Sequence, residues 1–395
     1  MKIELSEEKK LSRWLVFLLA SACGLIVANQ YYTQPLVGPI SAAVGISAGA
    51  SGLIVTMAQF GFAVGLLFLV PLSDLLENRR LVVSVLAIAI LGLLTAAIAK
   101  NSYMFFIAAA LTGLGSVSAQ ILVPFAANLA PAEQRGKIVG NVMSGLLLGV
   151  MLARPAASLV TGIWGWHAVF FISAVIMGIL MLLLSRRLPK RNPPPKDSYR
   201  TIIKSLWYIF KTTPVLRRRS LYQAALFGSF SLFWTVAPLR LSHHFHLTQK
   251  EIAVFAFLGV SGAVAAPIAG RLADRGWTRK LTGIAFITAA SSFAITHLLQ
   301  NNQTVSLIIF GVAAILLDMA FSGNLVLGQQ AIYGLGDEIR GRVNGVFMAV
   351  YFAGGAIGSA LGGWAYAHGN WATASIIGFS LPVLAFVYYL TEKSK

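Results

Sequence analysis

Two charged residues stand inside runs of sequence that are otherwise apolar. Arg154 lies in "VMLARPAAS" and Asp318 lies in "ILLDMAF". A charge near the centre of a membrane helix costs at least about 2.5 kcal/mol, so such residues usually face a cavity or a partner. Burial favours the neutral form of a carboxylate and a nearby cation favours its charged form, which brings proton exchange near neutral pH within reach of Asp318.

Arginine keeps its charge at physiological pH, so Arg154 requires a carboxylate, a backbone carbonyl or an anionic ligand beside it. Three interpretations stay open for this residue. It is a gate or charge partner for Asp318, or a structural arginine that bonds to carbonyls or extends outward, or a ligand for an anionic substrate. For Asp318, a neutral or paired structural residue is the alternative to a proton-coupling or cation-binding acid.

The elements that carry these residues follow from the composition. Of the 395 residues, 57% are hydrophobic and 11% are charged, whereas a soluble domain has about 25% charged residues. Crossing a ~30 Å hydrocarbon core takes about 20 apolar residues as a helix. Twelve segments meet this requirement, at 14–34, 52–72, 81–99, 103–128, 137–162, 166–185, 219–241, 252–271, 281–299, 304–332, 342–366 and 371–390. Because these runs lack the alternation of a β-barrel, we predict an all-α membrane protein with twelve transmembrane helices.

The positions of Lys and Arg predict the orientation in the membrane. With twelve crossings both termini lie on one side, and 27 of the 31 Lys and Arg residues fall on that side. The opposite side holds Lys100, Arg240 and Lys250. Short cytoplasmic loops are enriched in basic residues, so both termini are predicted to be cytoplasmic. The net charge of +18 then indicates contact with anionic membrane lipid and not with nucleic acid.

The two halves of the sequence are related to each other. An offset of 205 aligns "EQRGKIVGNVMSGLLLG" with "EIRGRVNGVFMAVYFAG", so that Glu133 meets Glu338. An offset of 200 aligns "LSDLLENRR" with "LADRGWTRK", so that Asp74 meets Asp274. Six helices are therefore followed by six of the same orientation, a parallel repeat about an axis along the membrane normal.

With these features the sequence resembles the major facilitator superfamily over nearly its whole length. The loop signature of that family, Gly-x-x-x-Asp-Arg-x-Gly-Arg-Arg, corresponds to "VPLSDLLENRR" and "GRLADRGWTRK", which are each one residue longer. The first copy lacks the Gly and the Asp-Arg pair. "NQYYTQPL" in the first helix resembles bacterial drug and sugar efflux permeases of the proton-antiporter type. The resemblance implies two pseudo-symmetric six-helix bundles, residues 1–186 and 219–395, in the bacterial cytoplasmic (inner) membrane.

Charged residues of the cytoplasmic loops form one candidate set. Asp74 and Asp274 lie at helix ends, where a carboxylate can accept from free N–H groups or pair with arginine. By resemblance they hold the two bundles together on the cytoplasmic side when the site faces outward. The alternative is a solvated loop charge worth ~0 to 1 kcal/mol. The set comprises Asp74, Arg79, Arg80, Arg135, Asp274, Arg275, Arg279 and Arg340.

The resemblance also places helices one, four, seven and ten around a central cavity, which makes Asp318 the predicted proton-coupling residue. Polar and aromatic residues of these helices are the candidate substrate contacts: Asn29, Gln30, Tyr32, Gln34, Gln120, Gln223, Trp234 and Asn324. Aromatic rings with amides suit a neutral or weakly charged amphipathic solute, and they equally suit helix packing. The antiporter signature of helix five contains a Gly-Pro pair. Arg154 replaces that Gly before Pro155, so the antiporter assignment loses support.

The linker between the bundles, residues 187–218, is rich in Lys and Arg and contains "NPPP" at 192. This composition predicts a cytoplasmic tether that leaves the bundles free to move. Ile202, Leu206 and Phe210 recur at helical spacing among basic residues, which indicates a helix lying along the membrane surface. A regulatory binding surface is the alternative.

Together these observations predict a secondary transporter that works by alternating access, with proton-coupled efflux of a small organic solute as the favoured mode. Uptake or uniport is the alternative, and a non-transporting receptor is a further one. The sequence has no GxSxG, HExxH or Walker-type motif, so no enzymatic activity is predicted. We expect a monomer, with a small molecule, protons and membrane lipid as partners and no cofactor. No metal site is predicted, because His243, His244 and His246 lack an acidic or Cys partner.

Overall fold

The structure, a computed structural model, describes residues 12–131, 134–193, 198–298, 301–336 and 339–392. Every regular element within these ranges is a helix, which confirms the predicted all-α fold. The α-helices are α1 (Arg13–Ala28), α2 (Val37–Val44), α3 (Leu53–Phe68), α4 (Asn78–Ala97), α5 (Ser102–Ser116), α6 (Ser118–Leu129), α7 (Arg135–Trp164), α8 (Trp166–Arg187), α9 (Tyr199–Thr212), α10 (Pro214–His243), α11 (Gln249–Ala256), α12 (Ser261–Asp274), α13 (Thr278–Ile295), α14 (Gln303–Tyr333) and α15 (Arg340–Leu390). Glu133 and Glu338 of the repeat lie outside the described residues.

These helices account for the twelve predicted crossings. Nine helical stretches of the described residues are long and apolar enough to span a membrane. The last of them, α15, contains two crossings joined at Gly369 and Asn370, where the backbone leaves helical geometry. α1 continued by α2 forms the first crossing, and the 18 residues of α13, about 27 Å long, form the ninth. Two six-helix bundles result, α1–α8 and α10–α15, with α9 between them in the chain.

The first crossing differs from the continuous helix predicted at 14–34. α1 ends at Ala28, and the chain continues through turns and a 3-10 segment, Gln34–Leu36, before α2 begins. Pro35 lacks an N–H group and disfavours helical geometry in the residue before it, which gives a physical reason for the interruption. The side chains of the polar residues 29–34 therefore project in several directions from an irregular backbone, and they do not form one helical face.

Polar side chains cap the starts of five of the described α-helices, α4 and α11 among them. The carboxylate of Glu77 accepts from the backbone N–H groups of Arg79 and Arg80 at the start of α4. Thr248 and Glu251 form a reciprocal capping box at the start of α11. Such caps bond N–H groups that the helix itself leaves unpaired.

The two bundles contact each other at the face opposite the chain ends, which we term the distal face. The face at which α1 begins and α15 ends is the terminal face. At the distal face the hydroxyl of Ser158 in α7 lies 2.8 Å from the backbone carbonyl oxygen of Gln249 and 3.0 Å from its Oε1, and it can donate to either. Gly52, just before α3, lies so close to α15 that an added Cβ would overlap the carbonyl oxygen of Ser359. These contacts close the distal face.

The terminal face instead holds a cavity between the bundles, the terminal cavity. Its volume is about 560 Å³, and its lining includes Asp74 and Gln120 from the first bundle and Arg342 and Met348 from the second. The structure thus combines a closed distal face with a cavity toward the terminal face.

Helix α9 lies against the terminal cavity. Its residues Ile202 and Leu206 are 1% and 6% exposed and line the cavity. The hydroxyl of Tyr199 donates to the carbonyl of the last residue of α3 at 2.9 Å, and Arg342 donates to the hydroxyl of Ser205 at 3.3 Å. The predicted linker helix is present, but its apolar residues at these positions face the protein rather than lipid, and it contacts both bundles.

Candidate functional site

Arg154 lies in α7 with its guanidinium group enclosed by aromatic rings. The side chain is 2% exposed, and the guanidinium carbon lies 4.4 Å from the ring centre of Trp234, 4.9 Å from that of Phe230 and 5.2 Å from that of Tyr31. Its Nε donates to Oε1 of Gln34 at 2.6 Å. Within the described residues its guanidinium bonds to no backbone carbonyl and does not reach the surface, so these contacts give no support to a purely structural arginine.

Asp318 lies in α14, is 3% exposed, and accepts through Oδ2 from the indole N–H of Trp234 at 2.9 Å. Asp318 and Arg154 face the same point, because a Cβ on Gly259 would lie 3.0 Å from Nη1 of Arg154 and 3.6 Å from Oδ1 of Asp318. The two described side chains approach no closer than the 4.0 Å limit of an ion pair. They are therefore near each other but unpaired, and Trp234 contacts both.

These residues, Gln34, Arg154, Trp234 and Asp318, form what we term the charge cluster. Gln34 and Arg154 belong to the first bundle, and Trp234 and Asp318 belong to α10 and α14 of the second. A carboxylate and a guanidinium that face each other across such an interface can approach or separate when the bundles move. The arrangement brings together the two buried charges that the sequence singled out.

Other predicted cavity residues bond within a single bundle. Nδ2 of Asn324 donates to Oε1 of Gln223 at 2.8 Å, and Nε2 of Gln223 donates to the carbonyl of Phe321 at 3.3 Å. In the first bundle Asn29 accepts from the hydroxyl of Ser173 at 2.6 Å. These amides link neighbouring helices of one bundle, as helix packing requires.

The remaining predicted contacts are dispersed. Gln30 donates to a backbone carbonyl of α5 at 3.3 Å, and Gln120 lines the terminal cavity. Tyr32 lines a separate groove between α1 and α7. Of the eight predicted substrate contacts, the structure thus brings Gln34 and Trp234 to Arg154 and Asp318.

Aromatic side chains lie between the charge cluster and the terminal cavity. The ring centres of Phe62 in α3 and Phe352 in α15 are 4.4 Å apart, and those of Phe227 and Phe321 are 5.1 Å apart. The cavity-lining residue Met348 is one helical turn nearer to the terminal face than Phe352. We term these four rings the aromatic layer. The charge cluster is thereby enclosed between this layer and the closed distal face.

Loop residues of the first bundle lie near the terminal face. Asp74 lines the terminal cavity together with Arg342 of the other bundle. Arg79 donates to a carbonyl at the end of α8 at 3.4 Å, and Arg80 forms an ion pair of 3.5 Å with the cap residue of α4. Arg135 is exposed and begins α7, as its repeat partner begins α15.

The corresponding residues of the second bundle bond within that bundle. Asp274 accepts from Nε2 of Gln330 in α14, and Arg279 donates to a carbonyl just past α15 at 2.7 Å. The guanidinium of Arg340 lies 5.6 Å from the ring centre of the last residue of α14, and Arg275 is exposed. The predicted role of these loops in holding the two bundles together applies to the state in which the site faces outward, and it stays a prediction.

Arg240 is a further buried charge, and the sequence analysis counted it with the residues of the side opposite the termini. It lies in α10, is 5% exposed, and has its guanidinium carbon 4.7 Å from the ring centre of Trp371, 4.9 Å from that of Phe310 and 5.6 Å from that of Phe245. Arg240 lies in the last turn of α10, so it does not add to the two charges expected well inside helices. The sequence signal was weak, since only Leu241 follows Arg240 before the polar residues "SHH".

Comparison with known proteins agrees with this architecture. The chain matches the family model of the Major Facilitator Superfamily over residues 19–336 and 223–395. It belongs to that superfamily and is a membrane transporter of this kind.

Particular relatives and structures are also similar. The uncharacterized transporter YgaY of Escherichia coli O157:H7 is 38% identical over 376 residues, which are 95% of this chain and 94% of the relative. A probable sugar efflux transporter of Mannheimia succiniciproducens is 22% identical over 387 residues, 95% of this chain and 92% of the relative. The crystal structure of a D-xylose-proton symporter has the same fold, with a TM-score of 0.76 at 15% identity over 96% of this chain and 98% of that chain.

Proposed function

We propose that this transporter exports a small organic solute in a proton-coupled cycle and that Asp318 carries the proton. The observation that carries the proposal is the buried carboxylate of Asp318 facing Arg154 across the bundle interface at Gly259. When ionised, this carboxylate is attracted to the guanidinium; when protonated, it is not. Its proton occupancy therefore changes the attraction between the two bundles, which is what coupling requires.

Alternating access is supported by the asymmetry of the two faces. The distribution of Lys and Arg supports a cytoplasmic terminal face, so a closed distal face with a terminal cavity corresponds to an inward-facing state. The aromatic layer is then the inner barrier that opens to admit the solute. Export as the direction is supported by the likeness to the relative named as a probable sugar efflux transporter.

Transport by purified protein in lipid vesicles tests the proposal. Candidate solutes are screened with an imposed pH gradient for the wild type and for Asp318→Asn. We expect the wild-type flux to follow the gradient and the flux of Asp318→Asn to ignore it. Asp197→Asn, which removes an acid of the linker, controls for the loss of a negative charge and is expected to behave as the wild type.

Two results would contradict the proposal. Equal fluxes for wild type and Asp318→Asn that ignore the gradient would exclude proton coupling through Asp318. Binding of a solute without any movement into or out of the vesicles would indicate a non-transporting receptor.

A further inference from the structure

We propose that the charge cluster binds the carboxylate group of a small organic anion, with Nη2 of Arg154 and Nε2 of Gln34 as the hydrogen-bond donors. The inference names the substrate class of the site described above and rests on the proposed transport function. It distinguishes this protein from a transporter of neutral or cationic solutes, which would leave these two donors without an anionic acceptor.

The two donors belong to side chains that are hydrogen-bonded to each other, and neither donor has a partner among the described residues. Oε1 of Gln34 accepts from Nε of Arg154 at 2.6 Å, which fixes the amide so that its NH2 group remains a donor. In a guanidinium group Nη2 shares an edge with Nε, so it lies beside the same amide. Both Nη2 of Arg154 and Nε2 of Gln34 are buried with no hydrogen-bond partner among the described residues. Unbonded buried donors are unfavourable, and an acceptor ligand relieves both at once.

The surroundings restrict how a ligand can approach Arg154. The ring centres of Trp234, Phe230 and Tyr31 lie within 5.2 Å of the guanidinium carbon, and Nε is already bonded to Gln34. On the edge that faces Gln34, Nη2 is therefore the nitrogen left for a ligand. A planar group with two acceptor oxygens matches donors arranged in this way, and a carboxylate is such a group. Gln34 is fully buried, so the ligand is shielded from water when bound.

Asp318 does not take this position. Its Oδ2 is bonded to Trp234 at 2.9 Å, and its Oδ1 approaches Gly259 together with Nη1 of Arg154. The guanidinium therefore presents Nη1 toward the proton-carrying residue and the Nε and Nη2 edge toward Gln34. The proposed solute and Asp318 contact different nitrogens of one cation.

This division predicts the sign of coupling. An anion bound to Arg154 repels the ionised carboxylate of Asp318. It also neutralises the positive charge of Arg154, which otherwise stabilises that carboxylate. A bound anion therefore favours the protonated form of Asp318. By reciprocity, protonation favours binding of the anion. Solute and proton then cross together as a neutral pair, not in exchange as the resemblance to antiporters implied. Export proceeds down the outward gradient of the solute itself.

Ligand-dependent stability of the full chain in lipid nanodiscs tests the inference. The probes are acetate, benzoate and phenylacetate, each compared with its neutral amide. We expect at least one carboxylate to raise the melting temperature while its amide does not. Gln34→Glu places a carboxylate on the same edge of Arg154, so it is expected to remain folded and to weaken binding of the anion by about tenfold or more. Arg154→Lys keeps the positive charge but loses the paired N–H donors of the guanidinium group, so it is also expected to bind the anion more weakly.

The inference is overturned if no carboxylate of the panel binds better than its amide, or if Gln34→Glu binds the anion as tightly as the wild type. Its failure is distinct from failure of the proposed function. Proton-coupled transport of a neutral solute that depends on Asp318 would refute the substrate class alone. Carboxylate binding that depends on Gln34, without proton-coupled flux, would refute the transport proposal alone.

Discussion

At the scale of the residue, Arg154 and Arg240 are both buried arginines surrounded by aromatic rings, but they differ in the bundle to which those rings belong. Each guanidinium has three aromatic ring centres within 5.6 Å, and cation–π contacts in desolvated positions are worth about 2 kcal/mol. The rings at Arg240 all belong to the second bundle, as Arg240 does. Arg154 belongs to the first bundle and meets Trp234 and Phe230 of the second. Only the contacts of Arg154 therefore change when the bundles move.

This difference gives a paired prediction. Arg154→Leu should abolish or greatly reduce gradient-driven flux, because Asp318 loses the cation that it faces. Arg240→Leu should leave the dependence of flux on the pH gradient unchanged. Both should change the free energy of unfolding by no more than about 2 kcal/mol, because each loses its cation–π contacts but also relieves a buried charge. Thermal unfolding and vesicle flux of the two variants, measured side by side, check this.

An outcome in which Arg154→Leu and Arg240→Leu both only lower the melting temperature would return Arg154 to a structural role. An outcome in which both lose coupling would show that either buried charge affects transport through folding or packing.

The predictability of the site differs from residue to residue. Asp318 and Arg154 could be found because a charge in an apolar run is conspicuous. That Gln34 would bond to Arg154 could not be predicted, since it depends on the path of the chain between α1 and α2. The pairing of Gln223 with Asn324 depends on the rotation of two helices about their axes, which apolar composition does not determine.

At the scale of the element, the irregular segment after α1 and helix α9 have functional consequences. The interruption before Pro35 places Gln34 beside Arg154, although the sequence suggested one continuous span. Helix α9 was predicted from the spacing of Ile202 and Leu206. The sequence could not show whether these two side chains contact lipid or the rest of the protein. Both are buried against the terminal cavity, whose lining includes apolar residues such as Leu66 and Met348.

The position of α9 leads to a prediction about access to the cavity. Ile202→Asp should displace α9, because a charge would be buried against the cavity lining. Asn128 lines this cavity, and Cys23 is the only cysteine of the chain. In a Cys23→Ser background, Asn128→Cys should react several-fold faster with a membrane-impermeant maleimide when Ile202→Asp is present.

Trp207→Asp on the same helix is the matched control, because Trp207 is 68% exposed and its change should leave the reaction rate as it was. Equal labelling rates with and without Ile202→Asp would show that α9 does not cover the cavity.

At the scale of the whole molecule, the repeat and the apolar runs sufficed to predict twelve helices in two bundles. They did not determine which face would be closed, because both states are built from the same helices and differ in contacts between bundles. The bond between Ser158 and Gln249, at 2.8 Å, is one such contact, and it must break for the distal face to open.

Cross-linking across this contact should therefore stop transport. Ser158→Cys with Gln249→Cys, in a Cys23→Ser background, should lose flux when treated with a short bis-maleimide. The control pair Asn29→Cys with Ser173→Cys lies within the first bundle, so its cross-link should leave flux unchanged. Full flux through a protein cross-linked between Ser158 and Gln249 would contradict alternating access by movement of the bundles.

The central claim is that protonation of Asp318 couples the solute to the proton gradient, and two fluxes measured in the same vesicles test it most directly. With a solute identified by the screen, Asp318→Asn should still exchange labelled for unlabelled solute, since a permanently neutral side chain still allows the bundles to move. The same variant should fail to accumulate solute in response to a pH gradient. Gradient-driven accumulation by Asp318→Asn at the wild-type level would contradict the account.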